Sequence, residues 1–410
     1  MRPKLVITGL GVLSAIGQGK DAFSAGLLRG SCAFDVMRRP GRQQESAYLG
    51  AEIRDMAFPA EIGARSARSA SLSAQAALIA VQEAWCESRL SGVDGCRIGL
   101  IVGGSNIQQR EIAQVHERYR ECSVFLRPSY SLSFMDSDVC GFCTAQFGIR
   151  GLACTVGGAS ASGQLAIIQA AQAILTGQVD VCIALGALMD LSHWECRALR
   201  ALGAMGSDRY ANEPSLACRP FDRNHDGFIF GESCGALVVE SLESSSLRSV
   251  TPLAVLRGWG IAMDANRNPD PSLEGETRAI QNALCASGWT AADVDYVNPH
   301  GTGSTAGDRT ELEALHRCGL TNVYLNATKS LIGHGLSAAG TVEVVATVLQ
   351  MQTGRLHPTR NLENPIDPTF NWVTSRAVDH QIRKALTLSM GFGGINTALC
   401  LERYSDLADR

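Results

Sequence analysis

The chain has 410 residues, of which 45% are hydrophobic and 19% charged, and its formal net charge is −4. This length and composition indicate a globular protein with a large buried core and exclude a disordered chain. Because lysine and arginine residues are scattered and do not outnumber the acidic residues, the charge argues against a nucleic-acid-binding protein.

The first predicted element is a strand over residues 4–8, within an apolar run that contains several glycines. Such a run can be mistaken for a secretion signal, but its glycines and the lack of a small-x-small cleavage site favour a buried strand and turn. The fourteen cysteines are spread irregularly, so reduced thiols in the cytoplasm are expected rather than disulfides. Cys140 and Cys143 have metal or redox spacing, yet no second pair accompanies them, and no metal site is predicted.

Strand-like and helical patterns alternate along the whole chain. The strands are short apolar runs of the kind that a sheet covered on both faces needs. They are predicted at residues 4–8, 97–102, 179–185, 234–240, 253–261, 294–299, 323–327, 386–390 and 397–402. Helical periodicity lies between them, at residues 69–87, 161–176, 274–286, 308–316 and 338–353. The alternation predicts a layered α/β fold.

The two halves of the chain resemble each other weakly. Each ends in a short apolar strand after a glycine-rich turn, at residues 234–240 and 396–402. This internal similarity predicts two related domains, 1–245 and 246–410, which pack together without a long flexible linker. The charged and irregular stretch 106–131 is predicted to be an insertion or an interface element.

The turn at residues 157–163 reads Gly-Gly-Ala-Ser-Ala-Ser-Gly and joins a strand-like run, 152–156, to an apolar helix. Ser160 is thereby placed at a helix N-terminus, where free backbone N–H groups and the helix dipole favour an oxyanion or a thiolate. Taken alone, Ser160 and Ser162 are also typical caps of a buried helix. The uncharged stretch 151–179 is long enough for a membrane span, but its recurring polar residues favour a buried loop and a core helix.

Three further glycine-flanked turns present polar or aromatic groups after apolar strands. They carry His300, Lys329 with His334, and Phe392. Two neutral histidines could donate N–H groups to one carbonyl oxygen and stabilise the enolate that forms when a β-carboxylate leaves as carbon dioxide. Lys329 is placed to hold the orientation or the charge of His334. Taken singly, each residue is better explained as an ordinary core, turn or surface position, but the joint pattern is not.

These motifs, in this order, resemble those of the β-ketoacyl-(acyl-carrier-protein) synthases, the condensing enzymes of fatty-acid and polyketide assembly. The resemblance covers nearly the whole chain and implies a thiolase-like fold, with two similar α/β halves in a five-layered αβαβα arrangement, and a homodimer. The motifs are Val6-Ile-Thr-Gly-Leu-Gly, Pro220-Phe-Asp with Asp226-Gly-Phe and Gly231-Glu, Pro299-His300-Gly-Thr-Gly, Lys329 with Gly333-His334, and Gly391-Phe392-Gly-Gly.

The resemblance also implies roles for the site residues. His300 and His334 are similar to the family's paired histidines, Lys329 to its lysine and Phe392 to its gatekeeping phenylalanine. The backbone N–H groups of Ser160 and Phe392 would form the oxyanion hole. No resident cofactor is implied, because phosphopantetheine arrives as part of the carrier-protein substrate.

One position departs from the family's pattern. The family carries cysteine in the turn where this chain has Ser160. A thiol with a pKa of about 8.5 is drawn towards thiolate at a helix N-terminus, whereas an alcohol ionises far higher and needs a general base. Cys154 does not replace it easily, because it lies in the approaching strand. Decarboxylation needs no covalent nucleophile, so loss of the thiol is expected to separate decarboxylation from condensation.

The leading hypothesis is a ketosynthase-like decarboxylase that converts malonyl-carrier protein to acetyl-carrier protein, similar to the cysteine-to-serine variants of polyketide β-branching cassettes. Chain-length factors also lack the cysteine but typically lose the histidines, which this chain keeps. Three alternatives stay open. They are a β-ketoacyl-carrier-protein synthase, native or with an engineered serine; an acyltransferase with Ser160 as nucleophile; and a non-catalytic partner subunit of a ketosynthase.

An acidic carrier protein needs a basic docking patch, despite the net charge of −4. Arg65 and Arg68, one helical turn apart, are the first candidates. Arg38, Arg39 and Arg42 form a second group. We further expect a cytoplasmic homodimer that binds neither nucleic acid nor a membrane.

Overall fold

A large mixed sheet runs through the computed structural model, which describes residues 4–44, 46–63 and 69–404. Its strands, with those of two small sheets, are β1 (Leu5–Ser14), β2 (Gly17–Gln18), β3 (Phe34–Val36), β4 (Leu49–Ala51), β5 (Ile98–Gly103), β6 (Ala153–Val156), β7 (Val181–Gly186), β8 (Phe230–Gly231), β9 (Ser233–Ser241), β10 (Ala254–Met263), β11 (Tyr296–Asn298), β12 (Tyr324–Leu325), β13 (Arg355–Leu356), β14 (Asn371–Trp372), β15 (Val378–Asp379), β16 (Lys384–Gly391) and β17 (Ile395–Arg403).

Helices lie between these strands along the chain. They are α1 (Lys20–Arg29), α2 (Leu72–Glu87), α3 (Gln109–Tyr119), α4 (Tyr130–Ser133), α5 (Ser137–Phe147), α6 (Ser162–Leu175), α7 (His193–Ala201), α8 (Leu242–Leu247), α9 (Leu273–Ser287), α10 (Gly307–Arg317), α11 (Lys329–Ile332) and α12 (Ala339–Thr353).

The two halves of the large sheet have the same topology. The first half has the strand order β6-β5-β7-β9-β1, and the second half has the order β12-β11-β16-β17-β10, with β14 beyond β12. In both halves the first three strands run parallel and the fourth is antiparallel to its neighbours. Pairing of residues 5–7 with residues 254–256 joins the halves. The prediction of two similar α/β halves is therefore confirmed.

Five layers result from this arrangement. Helices α2 and α5 cover the outer face of the first half-sheet, and α9 and α10 cover that of the second, while α6 and α12 pack together between the two half-sheets. A Cβ on Gly163 of α6 would lie 2.7 Å from the backbone nitrogen of Thr341 on α12. Only glycine permits such an approach. This contact places the start of α6 beside the start of α12. Ser160 precedes the first of these helix starts and His334 precedes the second.

Helix α6 accounts for the uncharged stretch 151–179. Its residues Ala166, Ile167, Ala170 and Ala171 are fully buried, so the helix belongs to the core. The apolar sequence therefore serves packing on both faces of the helix. Within the described ranges, no helix is long and apolar enough to cross a membrane.

The strands and helices predicted from the sequence are all present, most with ends shifted by a few residues. The largest difference is β1, which extends to Ser14 instead of ending at residue 8. Its glycines suggested a turn, but they lie in the strand where α2 crosses it. A Cβ on Gly11 would lie 1.8 Å from the carbonyl oxygen of Ala80, so the glycine serves close packing rather than a turn.

The stretch 106–131 is more regular than predicted, because it contains all of α3 and the start of α4. Helix α3 has no fully buried residue, although Ile112, Val115 and Tyr119 are spaced to share one face of the helix. Beyond it, Val124 and Phe125 are 85% and 74% exposed, and Leu132 is 64% exposed. Exposed apolar side chains in such a cluster are typical of an interaction surface.

Candidate active site

A cavity of about 570 Å³ is lined by residues from both halves, among them Ser160, His300, His334 and Phe392. Lys329 lies behind the histidines and is almost completely buried. The fold therefore brings together the five residues that the sequence singled out, although they are far apart in the chain. The roles assigned to them remain predictions.

The turn that carries Ser160 is held by its neighbours. Ala159 has a φ of +46°, an uncommon conformation for a residue with a side chain. The hydroxyl of Ser162 accepts the backbone N–H of Gly158 at 2.9 Å and donates to the carbonyl of Ala159 at 2.7 Å. Ser162 is thus the residue that stabilises the turn, and the hydroxyl of Ser160 is left to face the cavity.

His334 lies next to Ser160 and is tightly positioned. Its backbone N–H donates to the carbonyl of Ile229 at 2.7 Å, and the ring of Phe228 packs against its imidazole edge-on. Its Nε2 lies 2.9 Å from the Oγ of Ser160, while its buried Nδ1 has no partner within the described part of the chain. A proton on Nδ1 would be a buried donor without an acceptor, so the Nε2–H tautomer is favoured.

His300 is oriented by Lys329. The ammonium of Lys329 donates to the carbonyl of His300 and to a carboxylate oxygen of Glu343, and it lies 3.4 Å from the Nδ1 of His300. An ammonium has no acceptor function, so Nδ1 of His300 must accept and Nε2 must carry the proton. The contacts of the Lys329 ammonium go to His300, so of the two expected effects on His334 only the effect on the charge of the ring remains.

Both imidazoles are neutral. Burial lowers the pKa of His300 and of His334 well below the usual range, because a charged ring would lose its hydration. The positive charge of Lys329 lowers both pKa values further. The cavity therefore presents two N–H donors that carry no net charge.

Three acidic residues of this region were not predicted. Glu311 accepts the backbone N–H of His300 at 2.5 Å, and Asp308 accepts that of Gly303 at 3.0 Å, so both hold the loop that carries His300. Burial raises the pKa of Glu311 to about 8. Glu343 pairs with Lys329 and is the one charged residue of α12. A single carboxylate in an apolar helix was a signal that could have identified it.

Phe392 follows β16 on a loop in which Gly393 and Gly394 have φ values of +91° and +84°. Its side chain is half-exposed at the cavity. A Cβ on Gly391 would lie 2.3 Å from the carbonyl oxygen of Gly158, so this loop packs directly against the Ser160 turn. That contact places the backbone of Phe392 near that of Ser160, although the oxyanion hole remains a prediction.

The cysteines are poor replacements for a nucleophile at this site. Cys154 is half-buried in β6, and burial raises its pKa. Cys140 lies on α5, where burial raises its pKa to about 11. A raised pKa lowers the thiolate fraction and hence the reactivity. Across the described ranges, no group of His, Cys, Asp and Glu residues is arranged to hold a metal ion.

The two predicted docking groups have different outcomes. Arg65 and Arg68 lie outside the described residues, and their role stays a prediction. The prediction that Arg42 helps to dock the carrier protein is wrong, because its side chain is fully buried and forms three internal ion pairs. Arg39 also pairs internally, which leaves Arg38 as the well-exposed member of the second group. The carboxylates that hold Arg42 are Glu52, Asp190 and Glu232.

Known proteins match this chain over nearly its whole length. The family model for the N-terminal domain of beta-ketoacyl synthases matches residues 2–245, and that for the C-terminal domain matches residues 253–363. The polyketide biosynthesis malonyl-ACP decarboxylase PksF of Bacillus subtilis (strain 168) is 59% identical over 400 residues, which are 98% of this chain and 96% of that protein.

More distant relatives are condensing enzymes. The chloroplastic 3-oxoacyl-[acyl-carrier-protein] synthase I of Arabidopsis thaliana is 30% identical over 421 residues, covering 98% of this chain and 87% of that protein. A solved structure of a type II PKS acyl-carrier protein in complex with its ketosynthase bound to the hexaketide superposes with a TM-score of 0.86. It is 25% identical and covers 98% of this chain and all of that one.

Proposed function

The chain belongs to the β-ketoacyl synthase family, and on that premise we propose that it is a decarboxylase of polyketide biosynthesis that converts malonyl-carrier protein to acetyl-carrier protein without condensation. The relative that is 59% identical bears the name of this activity. One structural observation carries the proposal. Two neutral imidazole N–H donors face the cavity beside a serine that occupies the family's cysteine position.

The histidine pair suits the decarboxylation step. When the bond to the β-carboxylate breaks, its electron pair moves into the thioester and leaves negative charge on the carbonyl oxygen. The imidazoles of His300 and His334 both line the cavity and their ring centroids lie 5.3 Å apart, which is close enough for one bound oxygen to meet both rings. Donors fixed in a buried site stabilise such an enolate without reorganisation.

Lys329 supports this step from behind the histidines. Its contact with Nδ1 of His300 keeps the proton of that ring on Nε2. Its positive charge also favours negative charge in the cavity, and the site's low dielectric strengthens that effect. Glu343 holds the ammonium in place through a buried ion pair.

The contact between Ser160 and His334 is the observation that favours the rival function, an acyltransferase with a serine nucleophile. A base that activates serine must take up a proton, and it needs an acceptor on Nδ1 to stabilise the resulting imidazolium. Within the described residues Nδ1 of His334 has no such partner, and burial and Lys329 both disfavour the charged ring. His334 is therefore a good donor and a poor base, which argues for the decarboxylase.

The variant Ser160→Ala tests this distinction. We expect it to decarboxylate malonyl-carrier protein with a kcat within about tenfold of the wild type, because no step requires a covalent bond to residue 160. Intact-protein mass spectrometry of the carrier measures the conversion. A loss of activity above a thousandfold, together with an acyl adduct on Ser160 of the wild type, would support the serine nucleophile instead.

The substrate is expected to reach the histidines on the phosphopantetheine arm of an acyl carrier protein. The cavity is open to solvent, and the hydroxyl groups of Thr302 and Ser304 line it. Such hydroxyls can accept and donate hydrogen bonds to the amides of the arm. The structural relative described with its own acyl-carrier protein is consistent with this mode of delivery.

A homodimer is part of the proposal. Strand β6 is at the end of the large sheet, where no further described strand pairs with it. The hydroxyl of Thr155 on β6 donates to the carbonyl of Asp136 at 3.2 Å, and the exposed apolar side chains of Phe134 and Met135 directly precede Asp136. An open strand edge beside apolar side chains favours pairing with another subunit. A monomeric mass in sedimentation equilibrium would exclude it.

A further inference from the structure

A decarboxylase of this kind needs a proton donor that a condensing enzyme does not need. This inference rests on the proposed function. In condensation the enolate carbon forms a bond to an acyl group. Here it must instead take up a proton to become the methyl group of the acetyl thioester. Each turnover therefore needs an acid in the cavity. The neutral histidines already donate to the enolate oxygen, and the hydroxyl of Ser160 is a very weak acid.

Glu276 is placed to meet this need. It lies on α9 and lines the same cavity as Ser160 and His300. Its side chain is only 2% exposed, and its Oε2 has no hydrogen-bond partner among the described residues. Buried polar atoms are nearly always paired, so an unpaired carboxyl oxygen in a cavity indicates a group that meets a ligand.

The other buried or half-buried carboxyls that line the cavity are engaged by the protein, whereas Asp270 is exposed to solvent. Glu311 and Asp308 on α10 accept backbone N–H groups of the His300 loop. Asp264, which follows β10, accepts the side-chain amide of Asn396 at 2.8 Å. Their positions are explained by these contacts. Among the described residues Glu276 has no comparable contact, so it is the buried carboxyl of this group that is left for substrate.

The surroundings of Glu276 keep its proton in place. Burial raises its pKa well above the usual range, and the neighbouring carboxyls Glu311, Asp264 and Asp308 raise it further. These groups face Glu276 from α10 and from the end of β10. On its own helix Arg278 is exposed, and its guanidinium donates to the carbonyl of Met263. These surroundings favour the protonated, neutral form of Glu276 over its carboxylate.

We propose that Glu276 is the catalytic acid that protonates the enolate carbon. The bond between that carbon and the carboxylate breaks, carbon dioxide leaves, and the electron pair forms the enolate held by His300 and His334. As the thioester carbonyl re-forms, the carbon takes the proton from the carboxyl of Glu276, which becomes a carboxylate. Water at the open side of the cavity returns a proton before the next turnover.

The variant Glu276→Gln keeps the size and neutrality of the side chain but removes the acidic proton. We expect kcat for decarboxylation to fall roughly 100-fold, with the KM for malonyl-carrier protein unchanged. Glu274→Gln is the matched control, since Glu274 lies on the same helix and is exposed to solvent. That control is expected to keep the wild-type kcat.

Isotope exchange separates a proton donor from a merely structural residue. An enolate that is protonated slowly can react again with carbon dioxide. Labelled carbon dioxide should therefore enter the malonyl carboxylate more often in Glu276→Gln, where protonation is slower. We expect the ratio of exchange to acetyl formation to rise about tenfold. A structural defect would lower both processes together and leave their ratio unchanged.

The pH profile gives a second readout that uses the wild type. The acid must be protonated to act, so kcat should fall as the pH rises through the raised pKa of Glu276, and this alkaline limb should be absent from Glu276→Gln. Equal rates, exchange ratios and pH profiles in variant and wild type would overturn this inference alone. A wild-type protein that forms no acetyl-carrier protein would overturn the proposed function itself.

Discussion

Alanine at either His300 or His334 is expected to lower kcat for malonyl-carrier protein decarboxylation by roughly 10²- to 10³-fold. That is the cost of removing one preorganised donor from a developing oxyanion. The two effects should not add, since both rings donate to the same oxygen and the double variant loses a single stabilised state. Conversion of malonyl- to acetyl-carrier protein, followed by mass spectrometry, measures all three variants.

Glutamine at the same positions distinguishes a donor from a base. The side-chain amide of glutamine keeps an N–H donor but takes up no proton at neutral pH. His334→Gln and His300→Gln should therefore retain at least about tenfold more activity than the alanine variants. Equal losses with glutamine and alanine would indicate that a histidine acts as a base. His116→Ala, at an exposed position on α3, is the control and should keep full activity.

Cysteine at residue 160 is expected to create a condensing enzyme. The side chain at this position lies 2.9 Å from Nε2 of His334 and at the start of α6, where an N–H donor and the helix dipole both favour a thiolate. With an acyl donor and malonyl-carrier protein, Ser160→Cys should therefore yield β-ketoacyl-carrier protein, a product that the wild type does not form.

Two measurements check this gain of activity. Mass spectrometry detects the longer acyl chain on the carrier, and iodoacetamide should modify residue 160 in the cysteine variant at neutral pH. The native Cys154 is the internal control, because burial raises its pKa and should keep it unmodified under the same conditions. A Ser160→Cys variant that is modified at residue 160 but still forms only acetyl-carrier protein would show that the site has lost more than its thiol.

Much of the site could be predicted because its residues sit in short glycine-flanked motifs. Ser160, His300 and Phe392 each come shortly after a strand of the large sheet, and His334 follows the short helix α11. The glycines that mark these turns also permit the close packing that joins them. The local sequence therefore indicated both which side chains are reactive and that they lie in turns that pack together.

Other features depended on contacts between distant segments. The ammonium of Lys329 contacts His300, which is 29 residues away in the chain, rather than the nearby His334, and sequence proximity does not reveal this pairing. Arg42 seemed a surface residue because its three carboxylate partners lie elsewhere in the chain. Glu276 stands in the first turns of a helix, where acidic residues are common on solvated surfaces. Only the fold shows that it is buried in the cavity.

The central claim is that the chain removes carbon dioxide from a malonyl thioester and replaces it with a proton, without joining an acyl group to the enolate carbon. Its most direct test is the intact mass of a malonyl-loaded carrier protein incubated with the purified wild-type protein. We predict that the carrier becomes lighter by one carbon dioxide and keeps an acetyl group, without an acyl adduct on Ser160. An unchanged malonyl mass, or a carrier that lost its whole acyl group, would contradict the account.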